Sequence, residues 1–538
     1  MPVHRSCFAL PARLTLADAA LAVFLLAGVG ARVLPGLFTS FPMGDGGLFA
    51  VMAADIQAAG WQLPMFASYN GGEIPFTYPP VGLYVLAVLS AILGQTPVQV
   101  MDWWPPLLAV ASMGAAWLLL SELTDRRTGA WATAVFAITP RSFEWLIVGG
   151  GVTRTLGFTM AILAIWLLVL GLREVPHPRG RLPFALGAGA VAGLTLLTHP
   201  EATSFGVVSL LALAVRERAR IGQFLRVVLP AGAVAGAIVT PWLVVAIGRH
   251  GWQPYADALT SHNSGWVAVE HLLGLDTGAP VPVDPVKIAG AVGLVLLLVH
   301  RSWFIPAWYA GLMLLITGAG PTYAMLPLSI AAVLGVRWLA ARVTAIWRLP
   351  LVAGGVAVAV LFAALAVQQP LSPTRQVSEE AREVMEWVRV NTPPDSRFAL
   401  VSGTFWWADT EAEWFPALTG RVSVATVQGM EWLDEERWNG SLESHERLQS
   451  CAHAGLRCLA DWARAYPAEV DYVWRRDLAS LPLQDAVARY ESGLIAAWER
   501  QGFVSASEGC AGGLSDERPP GPRALEACRL ASRQLSAL

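Results

Sequence analysis

Residues 16–38 read LADAALAVFLLAGVGARVLPGLF, an apolar stretch that sets the pattern for the first two thirds of the chain. About 20 such residues in a helix cross the roughly 30 Å hydrocarbon core of a bilayer. The stretch is too long for a signal-peptide core and lacks a clear small-residue cleavage site, so we expect a retained helix. Similar stretches recur up to residue 368, which predicts an all-α polytopic membrane domain over residues 1–368.

Composition agrees with this prediction. The 538 residues are 55% hydrophobic and 14% charged, whereas a soluble globular chain carries about 25% charged residues. The net charge of −3 gives no sign of a nucleic-acid partner. Hydropathy predicts about eleven transmembrane helices. These lie at residues 16–38, 103–122, 128–148, 152–172, 183–199, 201–215, 224–247, 285–299, 302–317, 321–336 and 350–368.

The apolar stretch Val81–Leu93 decides the orientation of everything after it. About 13 residues are short for a span, which favours a helix on the membrane surface over a tilted, shortened span. With this helix left out of the count, the arginine-rich loops face the cytoplasm, as the positive-inside rule requires. They contain Arg126, Arg127, Arg173, Arg179, Arg181, Arg216, Arg218, Arg220, Arg301, Arg337, Arg342 and Arg348. The N-terminus is then cytoplasmic and residues 369–538 lie outside.

Residues 369–538 lose the long apolar stretches and become rich in Glu, Arg, Asp, Trp and Pro. The segment SEEAREVMEWVRVNTPPDSRFALVSG (378–403) predicts a helix, a turn and a strand. VDYVWRR (470–476) and GFVSAS (502–507) predict further strands around a helix at DAVARYESGLIAAWERQGF (485–503). We therefore predict an extracytoplasmic α/β domain.

This predicted domain contains four cysteines. An oxidising compartment permits disulfides between them. Their order favours two pairs, although sequence alone leaves the other pairings open. A zinc site is the competing interpretation, and C-x6-C with C-x17-C is not a usual zinc spacing. The favoured pairs are Cys451 with Cys458 and Cys510 with Cys528.

The first outer loop, residues 39–102, contains acids but no Lys or Arg. Asp45 lies in the sequence MGDGG, where glycines allow a close approach of the backbone to a ligand and let a carboxylate project from a turn. The residues that follow, 48–59, have helical character, so an N-cap role for Asp45 is the alternative. Asp55, Glu73 and Tyr78 of the same loop are further candidates for substrate binding.

Three segments carry a resemblance to a known family. They are YPPVGLYVLAVLSAILG (78–94), SELTDRRTGAWATAVFAITP (121–140) and GGGVTRTLGFTMAILAIWLLV (149–169). Together with the loop Asp, they resemble the GT-C superfamily of membrane glycosyltransferases, in particular protein O-mannosyltransferases and aminoarabinose transferases. The resemblance covers about residues 14–220.

The resemblance implies transfer of a sugar from a polyprenyl-phosphate carrier to a glycan, lipid or protein acceptor. The reaction would take place on the outer face of the bacterial cytoplasmic membrane. The family's loop Asp matches Asp45, which would act as the base of an inverting displacement. In these relatives the helix after the first outer loop lies on the membrane surface, as predicted above for residues 81–93.

The departing carrier phosphate needs positive charge, and an arginine fork suits its oxygens. Arg154, Arg141 and Arg249 lie at predicted outer helix ends, and Arg154 is the first choice. Its alternatives are snorkelling to the interface or pairing with Glu144. Arg32, inside the first span, is expected to pair with an acid of the loop if it is not itself functional.

The sequence LLTHPEATSF places His199 and Glu201 at a predicted outer junction of two spans. His199 is a candidate to bind the carrier phosphate or the sugar, and Glu201 to orient it or to cap the next helix. In the long outer loop, His262 is a weaker binding candidate, beside Asn263 and His271. No cofactor is predicted, and a divalent metal is an alternative without support in the sequence.

Two features argue against a metal-dependent oligosaccharyltransferase, because the first loop has no D-x-D pair and the chain has no W-W-D-Y-G signature. The segment TFWWADTEAEWFPALTGRVSVATVQGMEW (404–432) combines aromatic and acidic residues. Such residues suit sugar binding, although a core or a membrane-interface role explains them equally well. A transporter or flippase of lipid-linked saccharides and a non-catalytic scaffold are the alternative functions.

Overall fold

The computed structural model describes residues 15–173, 178–260, 284–316, 318–342, 376–452, 456–466 and 470–475, with single positions near 272–278 and 350–365. Helices dominate the part before residue 342. Their bounds are Leu16–Phe38, Gly47–Ala58, Val81–Leu93, Pro97–Leu123, Arg126–Ile138, Gly151–Leu172, Leu182–Leu196, Pro200–Arg216, Ile221–His250, Gln253–Thr260, Pro285–Val299, Phe304–Leu315 and Gly320–Ala340.

Five helices of the described chain are long and apolar enough to cross a membrane. They are Leu16–Phe38, Pro97–Leu123, Gly151–Leu172, Arg218–His250 (with its short leading turn) and Gly320–Ala340. The chain is therefore an integral membrane protein. Three further predicted spans are shorter apolar helices, Leu182–Leu196, Pro285–Val299 and Phe304–Leu315. The total of eleven remains a prediction, and most of the span predicted at 350–368 lies outside the described residues.

The span predicted at 128–148 is wrong. Its helix ends at Ile138, and residues 139–150 form turns around a short 3-10 helix at Pro140–Ser142. Pro140 explains the break, since proline disfavours helical backbone at the preceding residue. Residues 139–150 contact the first outer loop instead, since the N–H of Gly149 donates to the carbonyl of Met43 at 2.8 Å.

Arg32 holds the first helix to this region. It is fully buried and donates to the carbonyls of Gly28 at 3.0 Å and Ala137 at 2.6 Å, and to Ser142 Oγ at 3.1 Å. The predicted pairing of Arg32 with a loop acid is therefore wrong. Two carbonyls and a hydroxyl accept from its terminal nitrogens instead, and one of them, the carbonyl of Ala137, lies in the last turn of its helix, where carbonyls lack intrahelical partners.

Small residues let neighbouring helices approach closely. A Cβ added to Gly293 would collide with the backbone of Ala331, and one added to Gly335 would collide with that of Ala289. Helices Pro285–Val299 and Gly320–Ala340 therefore pack through glycine. This is a common way for membrane helices to gain van der Waals contact.

The helix predicted at Val81–Leu93 has the predicted bounds. It ends at Gly94, whose φ of 63° is left-handed and stops a helix readily. Val88, Ile92 and Leu93 are exposed, as expected of a helix that lies against lipid. Its location on the membrane surface remains a prediction.

The described residues after 376 contain a three-stranded parallel sheet with the strand order Val422–Ser423, Arg397–Val401, Tyr472–Arg475. The strands predicted in FALVSG and VDYVWRR and the helix predicted in SEEAREVMEWVRVN are present. Four helices accompany the sheet: Glu379–Asn391, Thr410–Thr419, Glu435–Ser450 and Leu456–Ala465. We refer to residues 376–475 as the C-terminal unit.

A disulfide joins Cys451 and Cys458, whose Cα atoms are 5.4 Å apart. Cys510 and Cys528 lie outside the described residues, as do the helix predicted at 485–503 and the strand predicted at 502–507.

Candidate active site

Asp45 lies in the turn between the first helix and the helix Gly47–Ala58. Its Oδ2 accepts a hydrogen bond from Arg154 Nη2 at 2.7 Å, and its Oδ1 accepts from the N–H of Gly150 at 3.3 Å. A Cβ on Gly150 would lie 2.6 Å from Asp45 Oδ2. The carboxylate therefore fits only because residue 150 is glycine.

The alternative role of Asp45 as a helix N-cap is wrong. The N-cap is Gly46, which has a φ of 139° and no side-chain capping bond. Since the side chain of Asp45 turns to Arg154, the first helical N–H groups need another acceptor. Glu413 of the C-terminal unit supplies it: Oε1 accepts from the N–H groups of Gly46 at 2.6 Å and Gly47 at 3.1 Å.

Arg154 lies in the first turn of the helix Gly151–Leu172. Besides binding Asp45, it donates from Nη1 to the carbonyl of Trp145 at 2.7 Å. The alternative pairing with Glu144 is wrong, since Glu144 pairs with Arg141. The side chains of Arg154 and Asp45 remain 16% and 19% exposed, so this ion pair is accessible to a ligand.

A second group of hydrogen-bonded side chains includes Thr153, the residue before Arg154 in the sequence. The hydroxyl of Tyr78 lies 2.7 Å from His199 Nδ1 and 3.0 Å from Thr153 Oγ1. Burial raises the pKa of Tyr78, so its hydroxyl stays protonated and can donate to Nδ1. The ring proton of neutral His199 then sits on Nε2, which lies 3.4 Å from Glu201 Oε2.

Glu201 does not cap the helix that follows. That helix starts at Pro200, its N-cap is His199, and Glu201 lies one residue inside the first turn. Pro200 is well suited to the first helical position because it has no N–H to satisfy. The carboxylate of Glu201 is thereby directed to His199, which leaves the predicted orienting role in place as a prediction.

Four other predicted residues make contacts elsewhere. Asp55 accepts from the N–H and Oγ of Ser68 at 2.8 and 2.6 Å, and Glu73 lies 3.5 Å from Arg437. Arg141 pairs with Glu144, and Arg249 donates to the carbonyl of Leu63 at 2.8 Å. None of these contacts joins the four side chains to Asp45, Arg154 or His199. His262, Asn263 and His271 lie outside the described residues.

Sequence reasoning missed the contribution of the C-terminal unit to this site. Beside Glu413, Trp414 donates from Nε1 to the carbonyl of Gly44 at 2.7 Å. The ring of Trp432 packs 5.7 Å from that of Tyr78, between centroids. The mixture of acids and aromatics at 404–432 was the available signal, but 367 residues separate Glu413 from Gly46.

Glu413 is an unusual carboxyl. Burial raises its pKa to about 8, and the nearby Asp45 carboxylate acts in the same direction. The N–H groups of Gly46 and Gly47, and the charge of Arg154, oppose this shift. Glu413 is therefore largely protonated at neutral pH.

A family model described as dolichyl-phosphate-mannose-protein mannosyltransferase matches residues 77–245. The matched range includes Tyr78, Arg154, His199 and Glu201. Among curated proteins, none matches the chain.

Two solved structures are similar to most of the chain. AglB, the oligosaccharyltransferase of Archaeoglobus fulgidus, solved with an inhibitory peptide and a dolichol-phosphate, has a TM-score of 0.56 at 14% identity, over 83% of this chain and 71% of that one. ArnT of Cupriavidus metallidurans in the apo state has a TM-score of 0.52 at 13% identity, over 76% and 86%. The chain has the fold of the GT-C membrane glycosyltransferases. The GT-C resemblance predicted from the sequence is confirmed for the fold.

Another structure of the oligosaccharyltransferase of Archaeoglobus fulgidus is a complex with zinc and sulfate. In the described part of this chain, no three His, Cys, Asp or Glu side chains form a group that would hold a metal ion. Asp45, moreover, is engaged through both oxygens by Arg154 and Gly150.

Proposed function

We propose that this protein transfers a sugar from a polyprenyl-phosphate carrier to an acceptor on the outer face of the membrane, with Asp45 as the base. The observation that carries the proposal is the accessible ion pair of Asp45 and Arg154. It joins a proton acceptor to a cation suited to phosphate. The GT-C fold and the dolichol-phosphate bound to AglB support a lipid-linked donor.

The proposed reaction is a single displacement. The acceptor oxygen forms a bond to the anomeric carbon, and its proton passes to the carboxylate of Asp45. The bond between that carbon and the phosphate oxygen breaks, and its electron pair stays on the phosphate. Attack from the side opposite the leaving group inverts the anomeric configuration.

Charge that develops on the phosphate needs donors already in place. Arg154 is held by the carbonyl of Trp145 and is the first of these donors. The N–H at Nε2 of His199, oriented through Nδ1 by Tyr78, is the second. His199 would thus contact the carrier phosphate or a sugar hydroxyl next to it.

The proposal includes a division of the chain into a membrane domain, 1–368, and an extracytoplasmic α/β domain, 369–538. Contacts of Glu413 and Trp414 with the turn around Asp45 support a common compartment for the C-terminal unit and the first outer loop. The arginine-rich loops support a cytoplasmic N-terminus. A bacterial cytoplasmic membrane is the proposed location.

The test measures sugar transfer from radiolabelled polyprenyl-phosphate hexoses by purified full-length protein in nanodiscs, with a membrane extract as acceptor. Asp45→Asn should lower the rate by about 10²- to 10⁴-fold, the usual contribution of a general base. Binding of the carrier should persist, because Arg154 remains. Glu386→Gln is the control, since Glu386 is an exposed carboxyl paired with Arg389 in the C-terminal unit.

Equal rates for wild type and Asp45→Asn would contradict the role of Asp45 as base. Tight carrier binding without transfer from any donor would favour a transporter or a scaffold. Movement of labelled carrier across sealed vesicles would then separate those two functions. Retention of the anomeric configuration in the product would contradict the single displacement.

A further inference from the structure

The helix Thr410–Thr419 of the C-terminal unit forms hydrogen bonds with the turn that contains Asp45. Glu413 Oε1 accepts from the N–H groups of Gly46 and Gly47, which follow Asp45. Trp414 Nε1 donates to the carbonyl of Gly44, which precedes it. Two consecutive residues thus bind the backbone on both sides of Asp45.

The helix Thr410–Thr419 packs closely against the turn around Asp45. A Cβ on Gly47 would lie 2.6 Å from the carbonyl oxygen of Glu413. The hydroxyl of Tyr69 donates to the same carbonyl oxygen at 2.6 Å, which fixes the helix to the first outer loop. Gly46, with its φ of 139°, has a conformation that side-chain-bearing residues rarely adopt. The turn around Asp45 is therefore held from outside as well as by its own glycines.

Simple packing would not select a carboxyl at position 413. A buried carboxyl loses hydration, and this one also lies near the Asp45 carboxylate. An apolar side chain would avoid both costs but could not accept hydrogen bonds from Gly46 and Gly47. The hydrogen bonds to the turn are what the carboxyl provides.

We propose that Glu413 is a positioning residue for the transfer reaction, holding the turn Gly44–Gly47 so that the Asp45 carboxylate meets Arg154. The C-terminal unit is thereby part of the active site. This role rests on the proposed function of Asp45, and it adds a residue from a segment that the family model, at 77–245, does not reach.

The protonation state of Glu413 predicts how activity should depend on pH if Glu413 positions the turn. The charged and titratable groups that face it are Asp45 on the turn, Arg154 on the helix Gly151–Leu172 and Tyr69 on the first outer loop. When Glu413 is neutral, its Oε1 caps the turn without repelling Asp45. Ionisation at alkaline pH places a second carboxylate there, which competes with Asp45 for Arg154.

The experiment compares kcat, KM for a radiolabelled polyprenyl-phosphate hexose and the pH profile of full-length wild type, Glu413→Ala and Glu413→Gln in nanodiscs. Glu413→Ala should lose about 10²-fold in kcat, the typical effect of a displaced catalytic group, with a smaller change in KM. Glu413→Gln keeps an oxygen acceptor and should retain most of the kcat at pH 7. It should also lack the decline that we expect of wild type as pH rises through about 8.

Glu411 provides the matched control. It is a buried carboxyl of the same helix, but it accepts from Trp474 Nε1 at 3.3 Å inside the C-terminal unit. Glu411→Gln should therefore keep the wild-type kcat and the wild-type pH profile. A loss in this variant equal to that of Glu413→Ala would overturn the proposed role, because it would reflect general damage to the helix.

Wild-type kcat in Glu413→Ala would overturn the role of Glu413, as would an unchanged alkaline decline in Glu413→Gln. If Glu413→Ala does not accumulate as folded protein, the pH profile of Glu413→Gln decides alone. Failure of the proposed function gives a different result, equal rates in wild type and Asp45→Asn measured alongside.

Discussion

Arg154 Nη2 lies 2.7 Å from Asp45 Oδ2, although 109 residues separate the two side chains in the sequence. The other terminal nitrogen of Arg154 binds the carbonyl of Trp145, so the guanidinium is held by two acceptors at once. An arginine fixed in this way offers a preorganised cation next to a carboxylate. That pairing is the chemical centre of the proposed transfer.

Transfer should require both terminal nitrogens of the Arg154 guanidinium as well as its positive charge. In Arg154→Lys, a single ammonium replaces two nitrogens that bind Trp145 and Asp45 separately. We expect kcat/KM to fall by about 10- to 100-fold, the loss of one or two charge-assisted bonds. Steady-state kinetics with a labelled carrier measure this. The control is Arg447→Lys, an exposed pair with Glu443, and full activity of Arg154→Lys would contradict the role of the fork.

Gly150 should be intolerant of a methyl group. In Gly150→Ala the new Cβ would lie 2.6 Å from Asp45 Oδ2, so the carboxylate must move away from Arg154. The backbone at residue 150 has φ −62° and ψ −10°, which alanine adopts without strain. We therefore expect a loss of about 10²-fold in kcat with little change in the apparent melting temperature.

Gly206→Ala is the control for this variant, because a Cβ on Gly206 would meet nothing within 4 Å. It should keep both activity and stability. A Gly150→Ala protein with wild-type kcat would show that the position of the Asp45 carboxylate next to Gly150 is unimportant for transfer.

Much of the framework could be predicted from local sequence signals. The helix Val81–Leu93 has the bounds predicted from its apolar stretch, because a proline pair precedes that stretch and Gly94 ends it. Asp45 was identified from its glycine-rich turn, and Arg154 from its place at a helix end. Each of these features depends on neighbours within a few residues.

The two errors have different causes, one local and one distant in sequence. The stretch 128–148 is apolar enough to resemble a span, and only the turn starting at Pro140 shows that it is not one helix. Glu413 was not recognised, since its partners Gly46 and Gly47 lie more than 360 residues away. A hydrophobic pattern does not encode contacts at that distance, and the acid is informative only once its burial is known.

Tyr78 and His199 should act as a unit. Tyr78→Phe removes the hydroxyl that lies 2.7 Å from His199 Nδ1 and leaves a buried ring nitrogen without its donor. Such a loss costs about 1–3 kcal/mol, so we expect about a tenfold or larger fall in kcat/KM. His199→Gln should have a similar effect. The double variant should lose less than the sum of the two, and strictly additive losses in the kinetic cycle would contradict the coupling.

The raised pKa of Glu413 predicts how stability depends on pH. In the unfolded chain this carboxyl ionises near its ordinary pKa of 4.5, whereas in the folded protein it keeps its proton up to about pH 8. Between these values the folded state binds more protons than the unfolded state, so the contribution of Glu413 to stability falls as pH rises and levels off above about 8. Glutamine cannot ionise. The apparent melting temperature of Glu413→Gln, relative to wild type, should therefore rise steadily from pH 5 to 8 and then stay constant.

Glu386→Gln should show no such rise, because Glu386 is exposed and its pKa is lowered by the hydrogen bond from Arg389. A difference in apparent melting temperature between Glu413→Gln and wild type that is independent of pH would mean that Glu413 titrates normally in the folded protein. Its carboxyl would then not be buried against the turn that contains Asp45.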